Sequence, residues 1–190
     1  MGDKVLPVVK QTKLLGVVVT DDLKWTENTK YLVKRANSRM ELLRKLAKFS
    51  PPIEDMKNIY ILYIRSILEQ SSWVWHSDLN EEDRLSLERV QKNALRNILQ
   101  ERYIGYEEAL KTLHLQTLYD RRENLLLRFG RKCLTLPQTM DLFPKNKKAH
   151  DMETRNEEKY TVLKAHTSRL MNSAVPTIQR MLNADENRHG

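Results

Sequence analysis

The sequence has few cysteines, glycines and prolines and no long apolar run, and each of these shortages excludes a class of protein. A single cysteine, Cys133, excludes a framework of disulfides within the chain. Five glycines and six prolines in 190 residues are too few for a collagen-like or linker-like chain. No apolar run approaches the roughly 18 residues of a membrane-spanning helix, and the first residues show no secretory signal. We therefore expect an intracellular protein, nuclear or cytoplasmic, that is not secreted.

Positive charge is the feature that is present in excess. The 33 lysines and arginines outnumber the 25 acidic residues, which gives a formal net charge of +8 at pH 7. The excess is clustered, because residues 1–50 have 11 basic against 5 acidic side chains and residues 101–150 have 10 against 6. Clustered positive charge favours a polyanionic partner, either nucleic acid or an anionic membrane surface. The length predicts one domain, or one domain with a tail.

Strand-forming residues are concentrated near the N-terminus. Two segments rich in valine and leucine, residues 4–10 and 13–19, predict a short β-hairpin with its connection at Gln11-Thr12. The pair Asp21-Asp22 follows and suits either a metal site or a turn. We interpret it as a turn, because a two-metal site needs several converging carboxylates that this region lacks. The five histidines show no zinc-binding spacing, so we predict neither a metal site nor a catalytic residue.

Residues 26–49 predict the most regular helix, with Thr26 as its N-cap. Its apolar side consists of Leu32, Ala36, Met40, Leu43 and Ala47. The opposite side carries Lys30, Lys34, Asn37, Glu41, Lys45 and Lys48, with Arg35, Arg39 and Arg44 on the flanks. A rigid row of cations suits contacts to phosphates that do not read base sequence. A solvated outer helix face explains the same pattern, and the spacing alone does not decide between the two.

The middle of the chain predicts two further helices. Ser50-Pro51-Pro52 ends the first helix and begins the next, for which Ser50 can serve as the cap. That helix is predicted to end near Ser71-Ser72, with the wholly apolar segment 59–64 buried at its centre. Asn80 caps the next helix over residues 80–100, whose core stripe contains Leu87, Val90, Ala94 and Ile98. Trp73 and Trp75 lie between them. We interpret the pair as core and rim residues, although tryptophans also stack on nucleic-acid bases.

The last part of the chain is more interrupted. A short helix is predicted over 106–113, and Thr117 with Asp120 forms a capping pattern for a helix that ends near Cys133. The inner face of that helix is predicted to contain Leu118, Leu125, Phe129 and Cys133, with Arg121, Arg122, Arg128, Arg131 and Lys132 around it. Residues 137–160 predict a linker or disordered segment. A last short helix, 173–183, places Ile178, Met181 and Leu182 on one side.

Six motifs occur in an order that is typical of one protein family. They are KLLGVVVTDDLKW, NSRMELLRKL, IYILYIRSIL, LERVQKNALRNIL, ALKTLHLQTLYDRRENLLLRF and SAVPTIQRMLN. Each motif is weakly specific alone, but together they span nearly the whole chain. The chain thus resembles the C-terminal part of a non-LTR (LINE-type) retrotransposon reverse transcriptase.

The resemblance implies a mainly α fold, in which a helical thumb-like bundle follows a short N-terminal β-hairpin and precedes a partly disordered C-terminal tail. It implies a palm-end strand pair at 1–24, a thumb-like domain at 25–135, a linker at 136–160 and a tail with a short helix at 161–190. Leu15, Gly16 and Val17 resemble the primer-grip hairpin beside the growing DNA end. The residues expected to bind nucleic acid are Lys30, Lys34, Arg35, Lys45, Lys48, Arg121 and Arg122.

The resemblance also implies what the chain does not do alone. In that family the polymerase carboxylates and their Mg²⁺ belong to palm motifs that precede this region, so we expect no enzyme activity and no cofactor in this chain. The expected partners are an RNA–DNA or RNA duplex and the remainder of the polymerase, without a membrane or a small-molecule substrate. The alternative is a small helical protein-interaction module with no role in nucleic-acid binding, which the Trp73 and Trp75 region and the unpaired strands favour.

Overall fold

A computed structural model of the chain describes residues 8–146 and 160–186. Over these ranges the protein is mainly helical, with one antiparallel β-hairpin before the first long helix, which confirms the predicted fold class. In chain order the elements are β1 (Gln11–Leu14), β2 (Val17–Thr20), α1 (Thr26–Ala47), α2 (Ile53–Ile59), a π-helix (Tyr60–Arg65), α3 (Ser66–Leu68), α4 (Ser72–Trp75), α5 (Glu81–Leu99), α6 (Tyr106–Thr112), α7 (Leu118–Cys133), α8 (Pro137–Met140), α9 (Ser168–Asn172) and α10 (Ala174–Glu186). Short 3₁₀ turns follow α4 and α5. No helix in the described ranges combines the length and hydropathy needed to cross a bilayer.

The chain divides into two compact units. The first comprises residues up to 70 together with 79–118, and the second comprises 71–78 with the residues after 118. This division differs from the expected one, which had boundaries at 24, 135 and 160. The hairpin belongs to the same unit as the helix that follows it, and the expected tail shares a hydrophobic core with α7.

The hairpin turns at a different place from the one predicted. Leu14 pairs with Val17 and Gln11 with Thr20, so the two-residue loop is Leu15-Gly16. Both loop residues have positive φ, 48° and 88°, as a hairpin turn that matches the twist of its strands requires. The predicted connection at Gln11-Thr12 was wrong, because only Gly16 supplies the conformational freedom for such a turn. Residues 1–7, which held most of the first predicted strand, lie outside the described residues.

Helix α1 packs against the hairpin and α5 along its apolar side. Leu32, Ala36, Met40 and Leu43 are each at most 1% exposed, as predicted, while Ala47 is only half-buried. Thr26 is not the N-cap, because it is the first helical residue and its hydroxyl donates to Asp83 Oδ2 of α5 at 2.8 Å. Asn80 does cap α5, since its Oδ1 accepts from the backbone N–H of Asp83 at 2.7 Å.

The segment after α1 is less buried than its composition predicted. Ser50 has a positive φ of 49° and does not cap α2, whose N-cap position is Pro52. In the π-helix Tyr60 and Ile64 are fully buried, but Leu62 and Tyr63 are 67% and 51% exposed. The prediction that this apolar segment is buried all round was wrong, because only one of its sides faces the core of the unit.

A polar cluster inside the first unit ties its later helices together. The Tyr60 hydroxyl donates to Gln91 Oε1 at 2.5 Å, and Gln91 Nε2 donates to the Tyr106 hydroxyl at 2.8 Å and to the Gln116 carbonyl at 2.9 Å. The Tyr106 hydroxyl in turn donates to Glu88. Burial is the largest cause that raises the pKa of Tyr106, with the hydrogen bond to Glu88 next. The phenol therefore stays protonated and can serve as this donor.

The second unit has a core of its own. It consists of Leu126, Cys133, Phe143, Tyr160, Ile178 and Leu182. The last helix was predicted correctly in type and apolar side, although it extends to Glu186. The described part of the predicted linker is not a linker, because residues 137–140 form α8, Phe143 is 3% exposed and Lys145 pairs with Tyr160. The rest of that prediction, residues 147–159, lies outside the described residues, as do residues 187–190 of the predicted tail.

Candidate nucleic-acid interface

Helix α1 presents its predicted cations to solvent. Lys30, Lys34, Lys45 and Lys48 are all exposed, while the opposite side of the same 22-residue helix is anchored in the core. The helix is continuous from Thr26 to Ala47. Since its rise is about 1.5 Å per residue, the lysines are held at fixed spacings along roughly 25 Å of rod.

Lys30 differs from the other three lysines because acidic groups surround it. Its Nζ lies 2.7 Å from Glu27 Oε1 in an ion pair one turn away. Glu82 and Asp83 of α5 line the same shallow cleft as Lys30 and Lys34. The hydrogen bond and charge of Glu27 raise the pKa of Lys30, and Asp83 and Glu82 add to the effect. Lys30 thus has a carboxylate partner within the protein, which none of the other three lysines has in the described ranges.

The remaining cations of α1 are mostly without carboxylate partners. Arg44 pairs with Glu41 at 3.2 Å. Among the residues that the structure describes, no ion pair involves the other five, which we call the cationic face: Lys34, Arg35, Arg39, Lys45 and Lys48. The helix contains no acidic residue between Glu27 and Glu41. Arg39 was not among the predicted site residues, although it is exposed and follows Arg35 by one helical turn.

A second group of cations meets at the junction of the hairpin and α1. Lys13 of β1 donates a hydrogen bond to the Tyr31 hydroxyl, and its Nζ lies 4.5 Å from the centre of that ring. Arg35 Cζ lies 5.4 Å from the same ring, and its Nη1 donates to Gln70 Oε1 at 2.9 Å. The hydrogen bond from Lys13 is the largest cause that lowers the pKa of Tyr31, and the charges of Arg35 and Lys13 act in the same direction.

The residues that resemble a primer grip form the tip of the hairpin. Leu15 is 91% exposed, and Val17 is 7% exposed because it faces the core. Gly16 approaches Gln70 so closely that a Cβ at position 16 would lie 2.3 Å from Gln70 Nε2. The turn therefore lies directly against Gln70, the side chain that accepts a hydrogen bond from Arg35.

The Asp21-Asp22 pair is a turn, as we interpreted it. Asp22 Oδ1 accepts from the Thr20 hydroxyl at 2.7 Å and from the backbone N–H of Lys24 at 3.1 Å. The hydrogen bond from Thr20 is the largest cause that lowers the pKa of Asp22, to about 2. No group of three or more metal-binding side chains comes together within the described residues.

The arginines predicted on α7 occupy different environments. Arg121 is half-buried, but Arg122 has no exposed surface. Arg122 Nε donates to His76 Nδ1 at 3.3 Å, and its Cζ lies 5.7 Å from the Trp75 ring. The prediction that Arg122 lies on the helix surface was wrong. The buried side of α7 runs through Leu118, Arg122, Leu126 and Cys133, whereas Leu125 and Phe129 are only half-buried.

The tryptophan pair is arranged as core and rim. Trp75 is fully buried, and Trp73 is 38% exposed and stacks on Phe129 with ring centres 5.3 Å apart and planes 10° apart. One face of Trp73 is thus already covered by a side chain of its own unit. Base stacking on this pair is therefore not part of the candidate interface.

Comparisons of the chain with protein families, curated proteins and solved structures found no match. Sequence reasoning missed Lys13 and Tyr31 as members of the basic surface, and it left Arg39, which it placed on the flank of the helix, out of the predicted site residues. The four-residue spacing of Tyr31, Arg35 and Arg39 was a signal for one side of a helix, but the position of Lys13 depends on the strand register.

Proposed function

We propose that this chain binds a nucleic-acid duplex through its phosphate backbone, without reading base sequence, as the gripping region of a non-LTR retrotransposon reverse transcriptase. The observation that carries the proposal is the cationic face of α1, whose five side chains have no carboxylate partner within the described residues. Cations without internal partners release phosphate counterions on binding and gain the full benefit of that release. Paired cations such as Lys30 gain less.

The dimensions of α1 suit a duplex. From Lys34 to Lys48, the residue directly after α1, the chain advances about 21 Å at 1.5 Å per residue, and one strand of a duplex carries a phosphate about every 3.4 Å along its axis. Several phosphates therefore come within reach of the row formed by Lys34, Lys45 and Lys48, with Arg35 and Arg39 on its flank. Contacts of this kind fix position and carry no sequence information.

The resemblance to reverse transcriptases suggests which duplex and which partner. It favours an RNA–DNA or RNA duplex, and it assigns the catalytic carboxylates and their Mg²⁺ to the palm of the polymerase. In this proposal the chain holds the duplex and does not polymerise by itself. Polymerisation by the isolated chain with Mg²⁺ would contradict this part of the proposal.

A salt titration with two matched variants tests the proposal. The first variant, Lys34→Gln/Arg39→Gln/Lys45→Gln/Lys48→Gln, removes four unpaired cations. The control, Lys24→Gln/Lys30→Gln/Arg44→Gln/Lys111→Gln, removes four cations that are ion-paired in the structure, two of them on α1. The affinity for an RNA–DNA duplex is measured by fluorescence anisotropy between 50 and about 200 mM salt, a range over which binding to phosphates weakens steeply.

We expect the two variants to differ in their salt dependence. The first should lower the slope of log affinity against log salt by roughly 0.7–0.9 for each phosphate that the parent neutralises and the variant does not, while the control should keep a slope close to that of the parent chain. Equal reductions in the two variants would show only an effect of net charge. An unchanged affinity in the first variant would show that the cationic face is solvated surface.

Exposed apolar side chains favour a second candidate function, that of a protein-interaction module. Leu62 and Tyr63 are 67% and 51% exposed on the π-helix, and Leu14 and Leu15 are 63% and 91% exposed on the hairpin. Sedimentation analysis of Leu62→Ser/Tyr63→Ser beside the parent chain tests this candidate. Association of the parent but not of the variant, without measurable duplex binding by either, would favour the interaction module.

A further inference from the structure

The junction of β1 and α1 holds two cations around one phenol. Lys13 and Arg35 both contact Tyr31. Lys13 donates a hydrogen bond to its hydroxyl, and the guanidinium of Arg35 lies over its ring. Neither cation has a carboxylate partner among the residues described by the structure. Two like charges this close to one neutral group repel each other, and an anion placed beside them would relieve that repulsion.

The group is also held in place before any ligand arrives. Arg35 Nη1 is fixed by Gln70 Oε1 at 2.9 Å, and Gln70 is itself held beside the Gly16 turn. Tyr31 and Arg35 are one turn apart on a rigid helix, and Lys13 is set by the register that pairs it with Val18. A preorganised set of donors loses little conformational freedom on binding.

The donors match the chemistry of a phosphate group. Lys13 and Arg35 supply charged N–H donors, and the Tyr31 hydroxyl can donate its proton while it accepts from Lys13. Arginine and lysine donors to phosphate oxygens make short, charge-assisted hydrogen bonds. Two unpaired positive charges balance a phosphomonoester, which carries a charge of about −1.5 to −2 at pH 7, better than a backbone diester with one.

We propose that Lys13, Tyr31 and Arg35 form a binding site for a terminal phosphate, the phosphomonoester at the end of a nucleic-acid strand. This inference rests on the proposed function, since it assigns one end of the bound strand to the hairpin side of the cationic face. The site adds a preference for phosphorylated ends to a surface that otherwise binds any backbone.

The test compares one duplex with and without a 5′ or 3′ terminal phosphate. We expect the chain to bind one phosphorylated end about tenfold more tightly than the hydroxyl end, which corresponds to one charge-assisted bond. Lys13→Gln and Arg35→Gln should bring this ratio close to one, and Tyr31→Phe should lower it. Lys10→Gln is the matched control on the hairpin, and Arg39→Gln is the matched control on α1.

The controls separate the two proposals. Arg39→Gln should weaken binding to both duplexes equally and leave their ratio unchanged, because it belongs to the cationic face alone. A ratio of one in the parent chain with a steep salt dependence would overturn the terminal-phosphate site and leave the proposed function standing. If no duplex binds, calorimetry with inorganic phosphate decides the matter. Heat of phosphate binding that Lys13→Gln abolishes would support the phosphate site without the proposed duplex binding. An absence of heat would overturn the phosphate site as well as the proposed function.

Discussion

Helices α1 and α7 are both amphipathic and rich in arginine, but only α7 encloses one of its arginines completely. On α1, every fully inward position of the middle turns is apolar or small, Arg35 is half-buried and Arg39 is exposed. On α7, the inward row contains Arg122, which has no exposed surface. The difference depends on what surrounds each helix. Arg122 is inside because His76 offers a hydrogen-bond acceptor and Trp75 offers an aromatic face.

The comparison shows that an arginine's role is set by its partners. A buried guanidinium needs acceptors and packing to offset the cost of leaving water. An exposed one without a carboxylate partner stays free to meet an outside anion. The one buried arginine of α7, Arg122, therefore belongs to the packing of the second unit, whereas the five cations of the cationic face have no carboxylate partner within the described ranges.

The largest effect is expected from the buried arginine. Arg122→Ala should lower the free energy of unfolding of the second unit by about 2–5 kcal/mol, because it leaves a cavity and removes the donor to His76. Two of the three tryptophans lie in that unit, so urea unfolding followed by tryptophan fluorescence measures the change. Arg128→Ala, an exposed position on the same helix, should change the value by less than about 0.5 kcal/mol. Equal effects at both positions would remove the distinction between the buried and the exposed arginines of α7.

A smaller loss is expected where α7 approaches α10. A Cβ at Gly130 would lie 2.3 Å from Ile178 Cγ2, a buried core atom. Gly130→Ala should therefore destabilise the second unit by about 1–3 kcal/mol through overpacking, although alanine is the better helix former by up to about 1 kcal/mol. Gly105→Ala is the control, because a Cβ there meets nothing within 4 Å. A stabilised Gly130→Ala variant would show that the packing between these helices relaxes easily.

Removal of the Asn80 cap of α5 tests how firmly the start of α1 is bound to α5. Asn80 fixes the start of α5, and Asp83 in that first turn accepts from Thr26 at the start of α1. Asn80→Ala should lower the free energy of unfolding of the first unit by about 1 kcal/mol, as measured by circular dichroism during urea unfolding. Asn37→Ala, at an exposed position on α1, should have almost no effect. No loss at position 80 would mean that packing alone sets the start of α5.

The smallest effect on stability is expected from the cationic face. Replacing Lys34, Arg39, Lys45 and Lys48 with glutamine should leave the unfolding free energy within about 0.5 kcal/mol per site, because none of them has an ion pair in the described ranges. Thermal unfolding of the variant used in the duplex titration measures this. A destabilisation close to that of Arg122→Ala would mean that α1, like α7, uses its cations for folding.

Local patterns predicted most of the helices and part of the candidate site. The inward positions of α1 and the cap at Asn80 were predicted correctly, because both depend on residues within a few positions of each other. The errors lie where the local sequence is compatible with two structures, such as two turn positions or two inner faces of one helix. The hairpin turn was placed at Gln11-Thr12 instead of Leu15-Gly16. On α7, Leu118 and Cys133 are buried as predicted, but Leu125 and Phe129 are only half-buried, because Arg122, which was assumed to face water, lies inside.

By itself, the sequence determined a mainly helical chain, an N-terminal hairpin and a basic outer side on the first long helix. Periodicity and composition carry that information, since they act through the local backbone and the hydrophobic effect. Only the tertiary structure decided which cations are exposed without a carboxylate partner and which are paired or buried. It put Glu82 and Asp83 beside Lys30, brought Lys13 to Tyr31 and Arg35, and enclosed Arg122 with His76 and Trp75. These are contacts between residues distant in the chain, and the energy of a charge depends on such neighbours more than on its place in a helix.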